Sequence, residues 1–239
     1  MSLVGKRIVI LGGTSGIGFA TAQLAAREGA CVVIASSNAK RVEAAVARLP
    51  KGNEGHAVDL SRESSISDFF EQLGAFDHLA FTAGEQLQLS KVRDTELTVA
   101  QRFFNLRYWG AFLTAKHGAR HVRAGGSLVF TSGSASIRPQ AGWALGASIC
   151  AAMEGLTRAL AVELAPIRVN VVAPGIVKTP LWGAMPEAER DALYRESAAH
   201  LPVGHVAEPE EIAQAYLYAM RQTYATGEVL RVDGGKPLV

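Results

Sequence analysis

The segment RIVILGGTSGIGFATAQLAAREGACVVIAS, residues 7–36, decides the fold. It opens with an apolar, β-branched run, residues 7–13, that ends in glycines. An amphipathic stretch over 16–28 follows as a helix, and Gly29 stands at its C-terminal stop. Residues 30–36 form a second apolar run of strand length. Neither run alternates with polar residues, so both strands are expected to be buried on both faces, as in a parallel sheet.

Outward from this unit the same rhythm continues. Strands are expected over 55–61, 76–84, 125–133, 167–175 and 227–235, with helices over 40–49, 64–73, 96–123 and 143–164. Strand alternating with helix throughout predicts an α/β protein: a doubly wound, Rossmann-like, seven-stranded parallel sheet with helices on both faces. No domain-scale linker or repeat interrupts the chain, so residues 1–239 are expected to form one domain. Residues 179–208 break the rhythm with Pro180, Pro186, Pro202 and a short helical piece over 186–199. A connection this long is usually functional, and it is expected to be a substrate lid beside the strand ends.

Formal net charge is +2, with Arg and Lys scattered. No nucleic acid or anionic membrane partner follows from that balance. Cys31 and Cys150 lie in apolar surroundings without partners at metal or disulfide spacing, so two reduced thiols and no metal site are expected. The N-terminus lacks a signal-peptide pattern, and no uninterrupted apolar run approaches the ~18 residues of a membrane span. A cytoplasmic protein is expected.

GGTSGIG, residues 12–18, sits between the first strand and the first helix. Gly12, Gly16 and Gly18 remove side chains where backbone must turn and approach a pyrophosphate, and the helix start offers free N–H groups. With its ordered companions this turn resembles the short-chain dehydrogenase/reductase family. VDLS at 58–61 is similar to that family's adenine motif, FTAGE at 81–85 to its N-N-A-G turn, and RVNVVAPGIVKTP at 168–180 to its P-G motif. The resemblance implies a cofactor site from Gly12, Thr14, Ser15, Gly16, Ile17, Gly18, Asp59, Leu60, Ala83, Gly84, Pro174 and Gly175. Val177 and Thr179 would hold the nicotinamide carboxamide. It also implies a small-molecule substrate and a homodimer or homotetramer built on helices 96–123 and 143–164.

The end of the second strand chooses the cofactor, because a carboxylate there would repel a 2′-phosphate. The chain has Ser36, Ser37 and Asn38, with Lys40 and Arg41 close behind. The absence of an acid favours NADP(H) over NAD(H).

The family's proton relay is where this chain departs. Tyr and Lys, four residues apart on one helix face, normally protonate the developing alkoxide beside an orienting Ser and a supporting Asn. No Tyr occurs between Tyr108 and Tyr194, and no Lys between Lys116 and Lys178. The expected alignment puts Leu145 and Ile149 in the Tyr and Lys positions, and Asn105 in the Asn position. Ser132 takes the Ser position; aligned from the strand instead, Gly133 takes it and Ser132 becomes structural. Tyr194, His200 and His205, in or beside the lid, are the replacement donors to consider, and Trp143 a pocket wall. His117 and His121 are expected to face a neighbouring subunit. Two functions follow: an NAD(P)-dependent oxidoreductase moving hydride to or from a carbonyl, imine or related substrate by a non-standard protonation route, or an NADP(H)-binding pseudoenzyme. A third chemistry on this fold, dehalogenation or a lyase reaction, fits poorly, because the glycine turn is kept and the Tyr is not.

Overall fold

The computed structural model describes residues 1–87 and 89–239. Its sheet has the seven parallel strands expected: β1 (Arg7–Leu11), β2 (Cys31–Ser36), β3 (Glu54–Ala57), β4 (Phe76–Phe81), β5 (Val122–Thr131), β6 (Arg168–Pro174) and β7 (Val229–Val232). They lie in the order β3-β2-β1-β4-β5-β6-β7. The helices are α1 (Gly16–Arg27), α2 (Ala39–Val46), α3 (Glu63–Leu73), α4 (Leu97–Phe104), α5 (Gly110–Gly118), α6 (Ala144–Glu163), α7 (Glu187–His200) and α8 (Pro209–Arg221). Strand order reverses between β1 and β4, which opens a crevice at their carboxyl ends.

Strand residues alternate between two cores, which explains the unbroken hydrophobicity of β1. Ile8 and Ile10 pack with Phe19 of α1 and with Tyr216 and Leu217 of α8. Val9 and Leu11 pack on the other face with Phe70 of α3, Phe130 of β5 and Met153 of α6. All four β1 residues are fully buried. Their pairing with Val32 to Ala35 on one side and His78 to Phe81 on the other fixes the register.

Several boundaries differ from expectation. β3 stops at Ala57, and Val58 and Leu60 leave the sheet to fill the core beneath α3. The long helix over 96–123 is three pieces: α4, a π-helical turn over Asn105–Trp109, and α5. β5 begins at Val122 because Val122 pairs with Phe76 across a register irregularity. His117 and His121 turn inward to α3: His117 meets Glu63 at 2.9 Å, and His121 stacks on Phe70. α6 is long and apolar enough to cross a membrane, with 20 residues and mean hydropathy 1.3 over its most apolar stretch. Its Met153, Leu156 and Leu160 are core residues under β5 and β6.

The excursion over 179–208, expected to be a lid, leaves and rejoins the body at one point. Val177 and Ala207 form a parallel bridge, and the Lys178 N–H donates to the Ala207 carbonyl at 3.0 Å. Trp182 anchors the excursion: it is buried, and its Nε1–H donates to the Val177 carbonyl at 2.9 Å.

Candidate active site

At the end of β1 the chain turns under tight constraint. Gly12 has φ +88°, and a Cβ there would stand 2.6 Å from the Ala83 nitrogen. A Cβ on Gly18 would collide with the Thr82 hydroxyl and the Gly12 carbonyl oxygen. Thr82 is fixed by its own N–H and hydroxyl, both donating to the Leu11 carbonyl. So the glycines let the β1–α1 turn press against the end of β4. α1 then starts without a side-chain cap: Ser15 makes none, and no acid lies in the first turn. α3, α4, α6 and α7 also start without a side-chain cap, whereas α2 is capped by Asn38 and α8 has a reciprocal Glu208–Glu211 capping box. An uncapped helix start behind a glycine turn suits a pyrophosphate, whose oxygens would take the N–H groups of Gly16, Ile17 and Gly18. Thr14 flanks this turn, and Thr179 closes over it, 3.3 Å from where a Gly16 Cβ would be.

The adenine end is equally specified. Asp59 Oδ1 accepts from the Ser61 hydroxyl at 2.6 Å and the Ser61 N–H at 3.0 Å. The hydroxyl bond, then the backbone one, hold the carboxyl below its ordinary range. Leu60 is buried beside it. Ser36 is half-buried at the end of β2, while Ser37, Lys40 and Arg41 are exposed. Asn38 Oδ1 accepts from the Arg41 N–H at 3.0 Å, so its carbonyl is spent on α2.

At the nicotinamide end, Pro174 and Gly175 close β6, and the Gly175 N–H donates to the Val232 carbonyl. Val177 and Thr179 stand side by side with the turn, but the Val177 carbonyl already accepts from Trp182.

The catalytic residues expected from sequence are placed differently. Ser132 Oγ donates to the Cys150 carbonyl at 3.0 Å and to Glu154 Oε1 at 3.2 Å. Glu154 is buried and also accepts from the Ser136 hydroxyl at 2.6 Å. Ser132 is therefore committed to holding α6 against β5, the structural role that the strand alignment gives it. Gly133 takes the neighbouring position, and a Cβ there would lie 3.1 Å from Cys150 Sγ. Cys150, not Ile149, is thus the α6 residue that meets the strand end; Ile149 is buried in the wall, 5% exposed. One turn earlier on the same face stands Gly146, with Leu145 beside it. The expected pair, Leu145 and Ile149, gives way to Gly146 and Cys150, also four apart. Burial pushes the Cys150 thiol up to about 11, against the Ser132 hydrogen bond. It stays protonated at neutral pH.

Asn105 is also displaced. It is exposed on the outer side of its helix, around a surface hollow of about 370 Å³ with Ala100, Gln101, Phe104 and Trp109. The π turn changes the winding here, and Arg107 faces inward instead. Its guanidinium lies against Gly84 and over the Phe103 ring at 4.9 Å. One Nη donates to the Glu85 carbonyl oxygen, while Nε, buried, has no hydrogen-bond partner among the described residues. Glu85 Oε2 stands 3.9 Å from Nε, too far for a hydrogen bond. Burial draws the guanidinium below the usual arginine range, opposed by the charge of Glu85. Sequence reading missed Arg107, though a signal existed. Phe103, Gly110, Ala111 and Thr114 are buried at helical spacing around it, so position 107 falls on the inner face.

The cleft continues from Arg107 along residues 84–87 to the lid. A Cβ on Gly146 would touch nothing nearer than Leu87 and Trp143, each at 3.9 Å. Trp143 pairs with Trp182, ring centres 6.0 Å apart. The candidate donors in the lid lie elsewhere. Tyr194 neighbours Lys178 and Glu208, whose ion pair is about half exposed. His200 is exposed against the Glu196 carbonyl, and His205 pairs with Glu211 at 2.9 Å. Among the described residues no cluster could hold a metal ion.

Comparison with known proteins agrees with this architecture. The family model described as enoyl-(acyl carrier protein) reductase matches residues 12–236. The short-chain dehydrogenase/reductase malC of Malbranchea aurantiaca is 35% identical, over 98% of this chain and 95% of its own. A solved small-chain dehydrogenase in complex with NADPH is 41% identical, with TM-score 0.84, covering 98% of this chain and 100% of its own. The structure of the MalC reductase/Diels-Alderase from Malbranchea aurantiaca is 32% identical, with TM-score 0.92, covering 99% and 98%.

Proposed function

The chain belongs to the short-chain dehydrogenase/reductase family, and on that premise we propose that it is an NADP(H)-dependent oxidoreductase working without a side-chain proton relay. One observation carries this reading: an uncapped helix start behind a glycine turn opens onto a cleft whose catalytic positions hold Gly133, Gly146 and Cys150. Gly133 and Gly146 carry no titratable group, and burial holds the Cys150 thiol in its neutral form. When bound, NADPH supplies hydride from C4 of its nicotinamide ring.

The protein's own residues do the rest. The α1 start and its glycines bind the diphosphate. Ser36, Ser37 and Arg41 receive the 2′-phosphate, and no carboxylate opposes it at the end of β2. The NADPH complex of a 41% identical relative supports the same choice. Trp182 and Thr179 hold the lid root against the turn. The substrate is a small molecule, a carbonyl, imine or related acceptor, and its proton comes from water reaching the cleft. Exposed Trp109 of the π turn, Phe112 of α5 and Val162 of α6 form the surface we assign to subunit association in a homodimer or homotetramer. Residues 1–239 act as one domain with the lid over 179–208, and we place the protein in the cytoplasm.

The second reading, a nucleotide-holding protein without turnover, is favoured by the same three residues. One experiment separates them. The purified protein is titrated with NADPH and NADH by nucleotide fluorescence, then assayed for NADPH oxidation with ketones, enones, quinones and imines. NADPH bound in preference to NADH, with turnover of at least one class, is the expected result. Tight binding without any turnover favours the holding protein, and no binding of either nucleotide overturns both.

A further inference from the structure

We propose that Arg107 is an anion anchor, and that the substrate is a flat apolar conjugated carbonyl whose oxygen becomes a planar, delocalised oxyanion when hydride adds at its β-carbon. The inference deepens the oxidoreductase reading by naming the substrate class of the same cleft.

Three observations converge. The first is an under-used cation. Arg107 has five N–H donors, but among the described residues it makes one hydrogen bond, to the Glu85 carbonyl. Its side chain is only 20% exposed, so solvent does not fully satisfy the remainder. A largely buried guanidinium left this way gains from any acceptor that arrives. Its planar fork matches a carboxylate or enolate edge better than a point charge would.

The second is position. Arg107 lies against Gly84, and the π turn that carries it packs on α6, where Cys150 stands one turn from Gly146. The guanidinium therefore borders the space that the family's proton relay would otherwise fill. The third is the shape of that space. Gly146 leaves it open as far as Leu87 and Trp143, and these two, with the buried Trp182 packed on Trp143, make its apolar wall. A flat body on this wall would present its oxyanion to Arg107.

The charge also discriminates among acceptors. A cationic iminium would be repelled by Arg107. A conjugated carbonyl that accepts hydride at carbon moves its π electron pair onto oxygen, and the resulting enolate is held by the guanidinium until water protonates it. Atoms and charge balance with one hydride and one proton from water.

The test uses 2-naphthoate and 2-naphthamide, which share a flat body and differ in charge. Binding of each to the full chain is measured by calorimetry, with and without saturating NADP⁺. The expected result is naphthoate about tenfold or more tighter than the amide. Arg107→Gln is expected to erase the preference, with the melting temperature checked in parallel. Glu85→Gln removes the competing carboxylate and is expected to raise naphthoate affinity about threefold or more; it tests the anchor even where Arg107→Gln fails to fold. Equal binding of the two probes, a preference that survives Arg107→Gln, or no rise in Glu85→Gln overturns the proposal. NADPH is titrated in the same preparations. Protein that binds NADPH without a naphthoate preference overturns the anchor alone. Protein that prefers naphthoate through Arg107 but binds neither nucleotide overturns the oxidoreductase reading and keeps the anchor.

Discussion

His78 makes the stability of this fold depend on pH in a way that can be calculated. It lies in β4 at the sheet's centre, 5% exposed, with Nδ1 2.9 Å from the Ser127 hydroxyl. Burial, then the nearby Arg168 charge, brings its value down from 6.5 to about 4, and Asp77 only partly opposes them. The folded protein thus keeps His78 neutral where the unfolded chain has protonated it. A folded value below the unfolded one means that the unfolded state binds more protons between the two. Stability is therefore full above about pH 6.5 and falls as pH drops towards 4. With those values, the loss between about pH 7.5 and about pH 4.5 comes to about 2–3 kcal/mol. That is a large share of a domain stability of about 5–15 kcal/mol. The assay is urea unfolding at a series of pH values for the parent and for His78→Gln, which can still bond Ser127 but does not titrate. Buried Asp77, held low by its own partners, adds its dependence to both proteins at lower pH, so the difference between the curves isolates His78. Curves that stay parallel from about pH 6.5 to about pH 4.5 would refute the reasoning.

Three further outcomes concern the site. Gly12→Ala forces a Cβ to within 2.6 Å of the Ala83 nitrogen at φ +88°, and is expected to weaken NADPH about tenfold or more in a fluorescence titration. Ser36→Asp puts a carboxylate at the end of β2, and is expected to reduce NADPH affinity about tenfold or more while sparing NADH. Arg107→Asn with Gly133→Ser, Gly146→Tyr and Cys150→Lys is expected to raise ketone reduction about a hundredfold or more over the parent.

The sheet was legible in the sequence because buried parallel strands leave a plain record. Ile8 to Leu11 and Val171 to Ala173 are apolar on both faces, and no helix imitates short β-branched runs bounded by glycine. The phosphate turn was legible for a related reason, since Gly12 and Gly18 each answer a steric demand of their own. The catalytic end was harder. On α6 the apolar stripe through Met153, Leu156 and Leu160 extends naturally to Ile149, so an alignment one residue early looks as sound as the right one. Only the contact of Gly133 with Cys150 separates them. Asn105 misled through winding: a π turn displaces every later side chain, and nothing in NLRYW announces it.

A hydride acceptor gains negative charge as it reacts, and a site can meet that charge with a proton or with a fixed cation. A proton donor must be titratable near neutral pH, placed within hydrogen-bond reach and recharged after each turnover. A buried guanidinium needs none of these, because it keeps its charge and is oriented before the substrate arrives. The two solutions exclude each other at close range. A lysine at position 150 would place an ammonium on the helix against which the Arg107 turn packs, and a tyrosine at 146 would occupy the space between Leu87 and Trp143. Glycine, glycine and cysteine are then what the arginine solution requires of its neighbours: small, uncharged and inert. On this view the absence of the relay and the presence of Arg107 are one adaptation. Restoring Gly146→Tyr and Cys150→Lys while keeping Arg107 is accordingly expected to yield less ketone reduction than the same pair with Arg107→Asn, compared by NADPH oxidation at equal folded fraction. Equal rates in the two backgrounds would separate the two features.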